Sequence, residues 1–197
     1  MLCLRGAGSS IAHVLAALLS EKEEIKVLAR DEALEFKAER YVFFQGLLQP
    51  KQMMEQTPEE IKESFWVNAG WIIRECDALL AYNPKARICV LGSESGFKWS
   101  FDGAYAAAKA ALHRYVEAKK LPSSQQQLVC VAPSIIFNTG MTARRTDFAN
   151  LKKLQAEHPK GRFLAASEVA AMIYFLLYVD RGYTTNTVIR MNGGQHL

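Results

Sequence analysis

The stretch GSESGFKWSFDGAYAAAKAALHRYVEA, residues 92–118, sets Tyr105 and Lys109 four positions apart in a run of alanines. Residues at that spacing share one face of a helix. A phenol titrates near pH ~10, too high for proton transfer at neutral pH. A neighbouring ammonium favours the phenolate and lowers that value. The alanines between keep the surface thin, so a ligand can lie close. The pair reads as a proton-transfer device or as a solvated helix face that happens to carry Tyr and Lys, and the residues around it must decide. Ser93 stands just past an apolar run, ARICVLGS (86–93). In parallel α/β sheets ligands bind beyond the carboxyl ends of the strands. A hydroxyl there is placed to orient a substrate carbonyl.

Outward from this stretch, short apolar runs alternate with helical patterns. Strands are predicted at 1–6, 25–30, 41–46, 86–93, 127–134 and 187–192, and helices near 10–20, 58–82, 103–120 and 167–179. Thr57, Pro58 and the acids after them make a helix start. Strand and helix in alternation predict an α/β fold: a Rossmann-type, doubly wound parallel sheet between two helical layers. Residues 31–40, DEALEFKAER, are too few for a further helix and strand between the second and third runs. A unit there is lost or cut down to a short extended segment. No linker or repeat divides the chain, so residues 1–197 read as a single domain.

Composition agrees with a soluble globular protein. Half the residues are hydrophobic, 22% are charged, and the net charge is +4. That charge is too mild to argue for nucleic acid or a membrane surface. Cys3, Cys76, Cys89 and Cys130 have no paired spacing, and three lie in strand-like runs. Buried reduced thiols are expected, which suits a cytoplasmic location. The four histidines show no metal spacing and are assigned to the surface or to helix faces, and no metal site is expected. The N-terminal apolar stretch is interrupted by His13 and followed by SEKEE, so strand, turn and helix is preferred to a leader.

Between the first strand and the first helix stands RGAGSSIA (5–12). Bare glycine backbone at such a turn admits a pyrophosphate, and the helix N-terminus favours its charge. An ordinary strand-to-helix turn would look the same. Arg30, at the end of the second predicted strand, is placed either to accept a 2′-phosphate or to begin a solvated loop. Asn68 puts an amide inside the apolar helix SFWVNAGW (64–71) and needs a partner if buried.

Together these segments resemble a short-chain dehydrogenase/reductase. The likeness runs nearly end to end: RGAGSSIA, VNAG (67–70), GSESG (92–96), YAAAK (105–109), APSIIFNTGM (132–141), HPKGRFLAASEVA (158–170) and VIRMNGG (188–194), in the family's order. The resemblance implies an NAD(P)-dependent oxidoreductase, NADP(H) preferred to NAD(H), that reduces a carbonyl or oxidises the alcohol. Tyr105 would be the general acid or base, and Lys109 would hold the nicotinamide ribose and lower the phenol's pKa. Ser93 would bind the reacting oxygen, and Asn68 would support Lys109 through a water-linked relay. Gly6, Gly8, Ser9, Ser10, Ile11, Arg30, Gly46, Pro133, Ile136 and Thr139 would line the cofactor. The family also implies a small-molecule partner and a homodimer or homotetramer built on the helices at 58–82 and 103–120.

The chain departs from the family's pattern in several places. Ser10 and Ala12 stand at glycine positions and Arg5 at a threonine, and FFQG (43–46) replaces Asn-Asn-Ala-Gly. Ser134 replaces the glycine after Pro133. The short 31–40 segment removes the adenine-side strand. Arg5 and Arg30 would offset lost glycine contacts with charge. A catalytically drifted relative, acting as a scaffold, partner or nucleotide sensor, is therefore the alternative. The segment 138–166 would form the substrate loop. Its Arg144, Arg145, Lys152, Lys153, Lys160 and Arg162 outnumber Asp147 and Glu157, which suits an anionic substrate or simply a solvated lid.

Overall fold

The computed structural model describes residues 1–29, 32–49, 51–137, 148–180 and 182–195. Six strands are present: β1 (Leu2–Arg5), β2 (Ile25–Leu28), β3 (Arg40–Phe43), β4 (Arg87–Leu91), β5 (Gln127–Pro133) and β6 (Thr187–Met191). The helices are α1 (Ser10–Leu19), α2 (Pro58–Phe65), α3 (Trp71–Tyr82), α4 (Gly103–Ala118), α5 (Phe148–Glu157) and α6 (Ala166–Tyr174). All strands pair in parallel, in the order β2-β1-β3-β4-β5-β6. The order reverses between β1 and β3, the switch point where doubly wound sheets bind ligands.

Alternation along each strand splits the core into two layers. Cys3, Tyr41, Phe43, Ile88, Val90, Leu128 and Cys130 pack against α3 and α4, with Ile72, Leu79, Leu112 and Val116. Leu2, Leu4, Val42, Cys89, Val129 and Val131 pack against α1 and α6, with Leu15, Val169 and Ile173. The central strands are apolar on both sides over most of their length, as a sheet covered by helices on both faces requires, while the edge strands β2 and β6 are only partly buried.

The predicted elements are all found, most with shorter ends, while β3 and α6 each begin one residue earlier than expected. The helix expected over 58–82 is one stack in three parts. Thr57 caps α2 with a full capping box, and a π-helical turn at Trp66–Gly70 leads into α3. A second π-helical turn, Phe175–Val179, ends the helix expected over 167–179. No strand occurs among the described residues between β2 and β3, and residues 32–39 form a short irregular link in place of the full unit. The expected substrate loop contains α5. No helix among the described residues is long and apolar enough to cross a membrane.

All four cysteines are free and buried. Burial holds their thiols above the ordinary range, Cys3 at about 11.

Candidate active site

β4 ends at Leu91, and the next residues turn over the sheet edge. Ser93 caps a short 3-10 turn, Glu94–Gly96, its hydroxyl accepting from the Ser95 N–H at 3.2 Å. α4 then returns along the sheet. Asp102 caps it by accepting from the Tyr105 N–H at 3.0 Å. The same carboxylate accepts from the Gln49 N–H at 2.7 Å and from the Gln56 amide at 2.9 Å. This buried carboxylate therefore ties the first turn of α4 to the loop after β3.

Tyr105 is 8% exposed and Lys109 2%. The ammonium stands 5.7 Å from the centre of the tyrosine ring. It donates to the Leu91 carbonyl at 2.8 Å and reaches the Gln45 carbonyl at 3.5 Å. Burial, partly offset by Cys130, lowers its pKa to about 8. Burial also holds the Tyr105 phenol above its ordinary value, the Ser93 hydroxyl beside it opposing and Asp102 adding. Ser93, Tyr105 and Lys109 are thus brought together, with the phenol neutral.

Asn68 does not touch Lys109. In the π-helical turn its side chain is fully buried. It accepts from the Leu47 N–H at 2.9 Å and donates to the Leu47 carbonyl at 2.8 Å and to Ser64 at 3.1 Å. It therefore fixes the segment that carries the Gln45 carbonyl, two residues before Leu47.

The glycine turn meets the same segment. Gly6 has φ +79°, and a Cβ there would lie 2.8 Å from the Gln45 nitrogen. Gly8 is exposed, with open space where a Cβ would go. Ser9 caps α1 by accepting from the Ile11 N–H, and Ser10 begins the helix. Ile11 and Ala12 are buried in the core, so these two make the helix-to-sheet contact. Gly46 follows Gln45. Pro133 ends β5, and Ile136 bridges to Leu164. Arg30 and Thr139 lie outside the described residues, as do Arg144 and Arg145. An exposed glycine beneath open space, a helix N-terminus and a buried amine on one edge fit a nicotinamide dinucleotide.

Two expectations are corrected. Arg5 does not offer its charge to the turn. It is buried, pairs with Glu75 at 2.9 Å, donates to the Ala29 and Glu32 carbonyls and stacks near Trp71. As the last residue of β1 it falls, by alternation, on the α3 side. The histidines are expected at the surface or on helix faces; His113 is on α4 but buried, 4% exposed, beneath Ser93, and His158 is buried as well. The motif reading missed Asp102, although an acid three positions before Tyr105 at a helix start is a capping signal. It also missed Glu94, which is buried and paired with Arg190 at 2.6 Å. Only the fold joins residues so far apart in the chain. In the basic segment, Arg162 pairs with Glu168 and Lys153 with Glu157, while Lys152 and Lys160 are exposed.

The chain is similar to known proteins. The sequence model of the family described as Enoyl-(Acyl carrier protein) reductase matches residues 40–196. An NADPH-dependent aldehyde reductase-like protein, chloroplastic, of Arabidopsis thaliana is 31% identical over 93% of this chain and 71% of its own length. The 3-oxoacyl-acyl-carrier-protein reductase FabG of Escherichia coli is 27% identical over 96% of this chain and 74% of its own. A solved oxidoreductase of the short-chain dehydrogenase/reductase family from Burkholderia thailandensis superposes with a TM-score of 0.85. It is 18% identical, over 98% of this chain and 91% of that one. With the fold, the family model and the relatives in agreement, the chain belongs to the short-chain dehydrogenase/reductase family and is an oxidoreductase of that type.

Proposed function

We propose that this chain, as the single domain 1–197, reduces a small-molecule carbonyl with NADPH, Tyr105 serving as the general acid. The observation that carries the reading is the convergence of Ser93, Tyr105 and Lys109 at the carboxyl edge of β4, one segment away from the Gly6 turn. A bound nicotinamide cofactor would supply the hydride. Gly6, Gly8, Ser9, Ser10 and Ile11 would cradle its pyrophosphate, with Gly46, Pro133 and Ile136 along the groove. Ser93 hydrogen-bonds the carbonyl oxygen, and Tyr105 gives that oxygen its proton as negative charge develops. A neutral phenol is the form an acid needs, and burial keeps Tyr105 in it. Lys109, anchored on the Leu91 carbonyl, keeps a positive charge beside the phenol and faces the ribose. Such proton assistance gives roughly 10²–10⁴-fold in rate.

The preference for NADPH is supported by the printed name of the Arabidopsis relative and by Arg30 in the sequence. A homodimer is supported by the apolar groove along α2, α3 and α4, lined by Phe65, Trp66, Ala69, Ile73 and Ala111. Four buried free thiols suit a reducing cytoplasm. Exposed Lys152 and Lys160 leave room for an anionic group on the substrate.

The test is a titration with NADPH and with NADH, followed by nicotinamide fluorescence, then a carbonyl screen at 340 nm. Saturable binding, tighter for NADPH, with turnover lost in Tyr105→Phe but binding kept, is expected. Tighter NADH binding would overturn the Arg30 argument alone. No binding of either at about 1 mM, the upper end of ordinary KM values, would favour the drifted relative instead.

A further inference from the structure

The hydrogen-bond ladder of the sheet stops one residue before Ser93. The Gly92 N–H still donates to the Val131 carbonyl of β5, at 2.8 Å. Ser93, already turning away, has a buried N–H with no strand to receive it, and such a group must find an acceptor elsewhere. The acceptor is His113 Nε2, at 3.3 Å. His113 lies one helical turn after Lys109 on α4, so the catalytic helix itself holds the serine segment from below.

The imidazole fits closely. A Cβ on Gly92 would lie 2.4 Å from His113 Nε2, and one on Gly96 would lie 2.5 Å from Cε1 and 2.7 Å from Nδ1. The two glycines that flank the serine in GSESG are thus the space the ring occupies. Phe97 closes the ring off, centroids 4.7 Å apart. The charged groups around it are Lys109 and Arg190, with Glu94 paired to Arg190. Burial first, and then those two cations, push His113 down to about 4, so the ring is neutral at physiological pH. A neutral imidazole that accepts at Nε2 carries its proton on Nδ1. Among the described residues Nδ1 has no hydrogen-bond partner, which makes this tautomer costly unless the bond to Ser93 is worth keeping.

We propose that His113 is a positioning residue for Ser93. Its Nδ1–H tautomer accepts the Ser93 N–H, and so fixes the serine hydroxyl relative to the Tyr105 phenol. The role of that hydroxyl rests on the reductase reading above, whereas the imidazole–serine bond does not.

The experiment combines long-range ¹⁵N spectra of the histidine rings with amide exchange, on the full chain without cofactor. His113 is expected as the Nδ1–H tautomer throughout about pH 5 to 8, the range over which an ordinary histidine titrates. The Ser93 amide should exchange about tenfold faster in His113→Phe, which keeps a ring but no acceptor, and recover in His113→Gln, which restores one. An Nε2–H ring, a midpoint near ~6.5, or an unchanged Ser93 amide in the Phe variant overturns the proposal. If the wild type turns over a carbonyl, kcat should fall about tenfold in the Phe variant and partly return in the Gln variant, with NADPH affinity unchanged. Wild-type kcat in the Phe variant would also overturn it. If the wild type has no turnover, the reductase reading fails and the spectra and exchange still decide the bond. If the Phe variant does not fold, the wild-type tautomer decides, with Gly96→Ala compared in the wild-type and His113→Ala backgrounds. The added methyl meets the Ala110 nitrogen at 3.0 Å in both backgrounds, so it should lower Tm in both but clearly more where the imidazole is present, and equal losses overturn the fit.

Discussion

At the scale of single residues, the buried lysine makes the sharpest statement. Lys109 has a folded pKa of about 8 against an unfolded 10.5, because burial disfavours its charge. Below about 8 the folded state must carry a charge it solvates poorly, and the cost is then complete. Between about 8 and 10.5 the unfolded chain binds the proton and the folded one does not, so this group raises stability as pH rises. Lys109→Met should therefore be more stable than the wild type at pH 7, by on the order of 3 kcal/mol at most, and the gain should shrink through that window. Melting curves of both proteins across pH check it. A difference independent of pH would mean the amine is not desolvated. The two glycines of the turn separate packing from ligand binding. Gly6→Ala forces a side chain into φ +79° and against the Gln45 nitrogen, and should cost at least about 1 kcal/mol of stability. Gly8→Ala meets nothing and should leave Tm unchanged while weakening NADPH binding. Equal Tm losses in the two variants would defeat that division.

At the scale of elements, the segment after β3 is what the site shares. Gly6 packs on Gln45, Lys109 reaches its carbonyl, Asn68 grips Leu47, and Asp102 grips Gln49. The π-helical turn at Trp66–Gly70 widens the helix where Asn68 makes its bonds, a feature common at functional sites. Asp102 joins Tyr105, on its own helix, to Gln49 and Gln56, which lie far back in the sequence. Asp102→Ala should remove the cap of α4 and leave the Gln49 N–H unpaired, for a loss of about 1–3 kcal/mol. In a chain of this length that is a Tm lower by roughly 3–10 °C. Thermal melts test the size, and an unchanged Tm would show that water replaces the carboxylate fully. Asp102→Asn, which keeps an oxygen for the Tyr105 N–H, should lose less.

At the scale of the whole molecule, one face is unfinished. Trp66 is 47% exposed beside Phe65 on the outer side of the helices that bracket the site. Burying such rings is worth about 25 cal/mol per Å², which favours the second copy proposed above as their cover. Trp66→Glu should shift light-scattering mass from dimer to monomer with the fold retained by circular dichroism. A wild type that is already monomeric at micromolar concentration would end the argument.

The sequence by itself determined the sheet and the edge at which Ser93, Tyr105 and Lys109 meet. All six strands were legible as short runs rich in apolar residues, most strongly in buried β1 and β5 and less so in the half-covered edge strands β2 and β6, and the shortening of a unit was legible because ten residues cannot form a full one. Ser93, Tyr105 and Lys109 were legible because their spacing is fixed by one turn and one helix, which are local. The tertiary structure alone decided what surrounds them. The fates of Arg5 and His113 depended on which neighbour each face met, and the threefold role of Asp102 depended on two loops arriving at one place. Hydrogen bonds between distant residues leave no period in a sequence, and burial moves a pKa only once the chain has closed around the group.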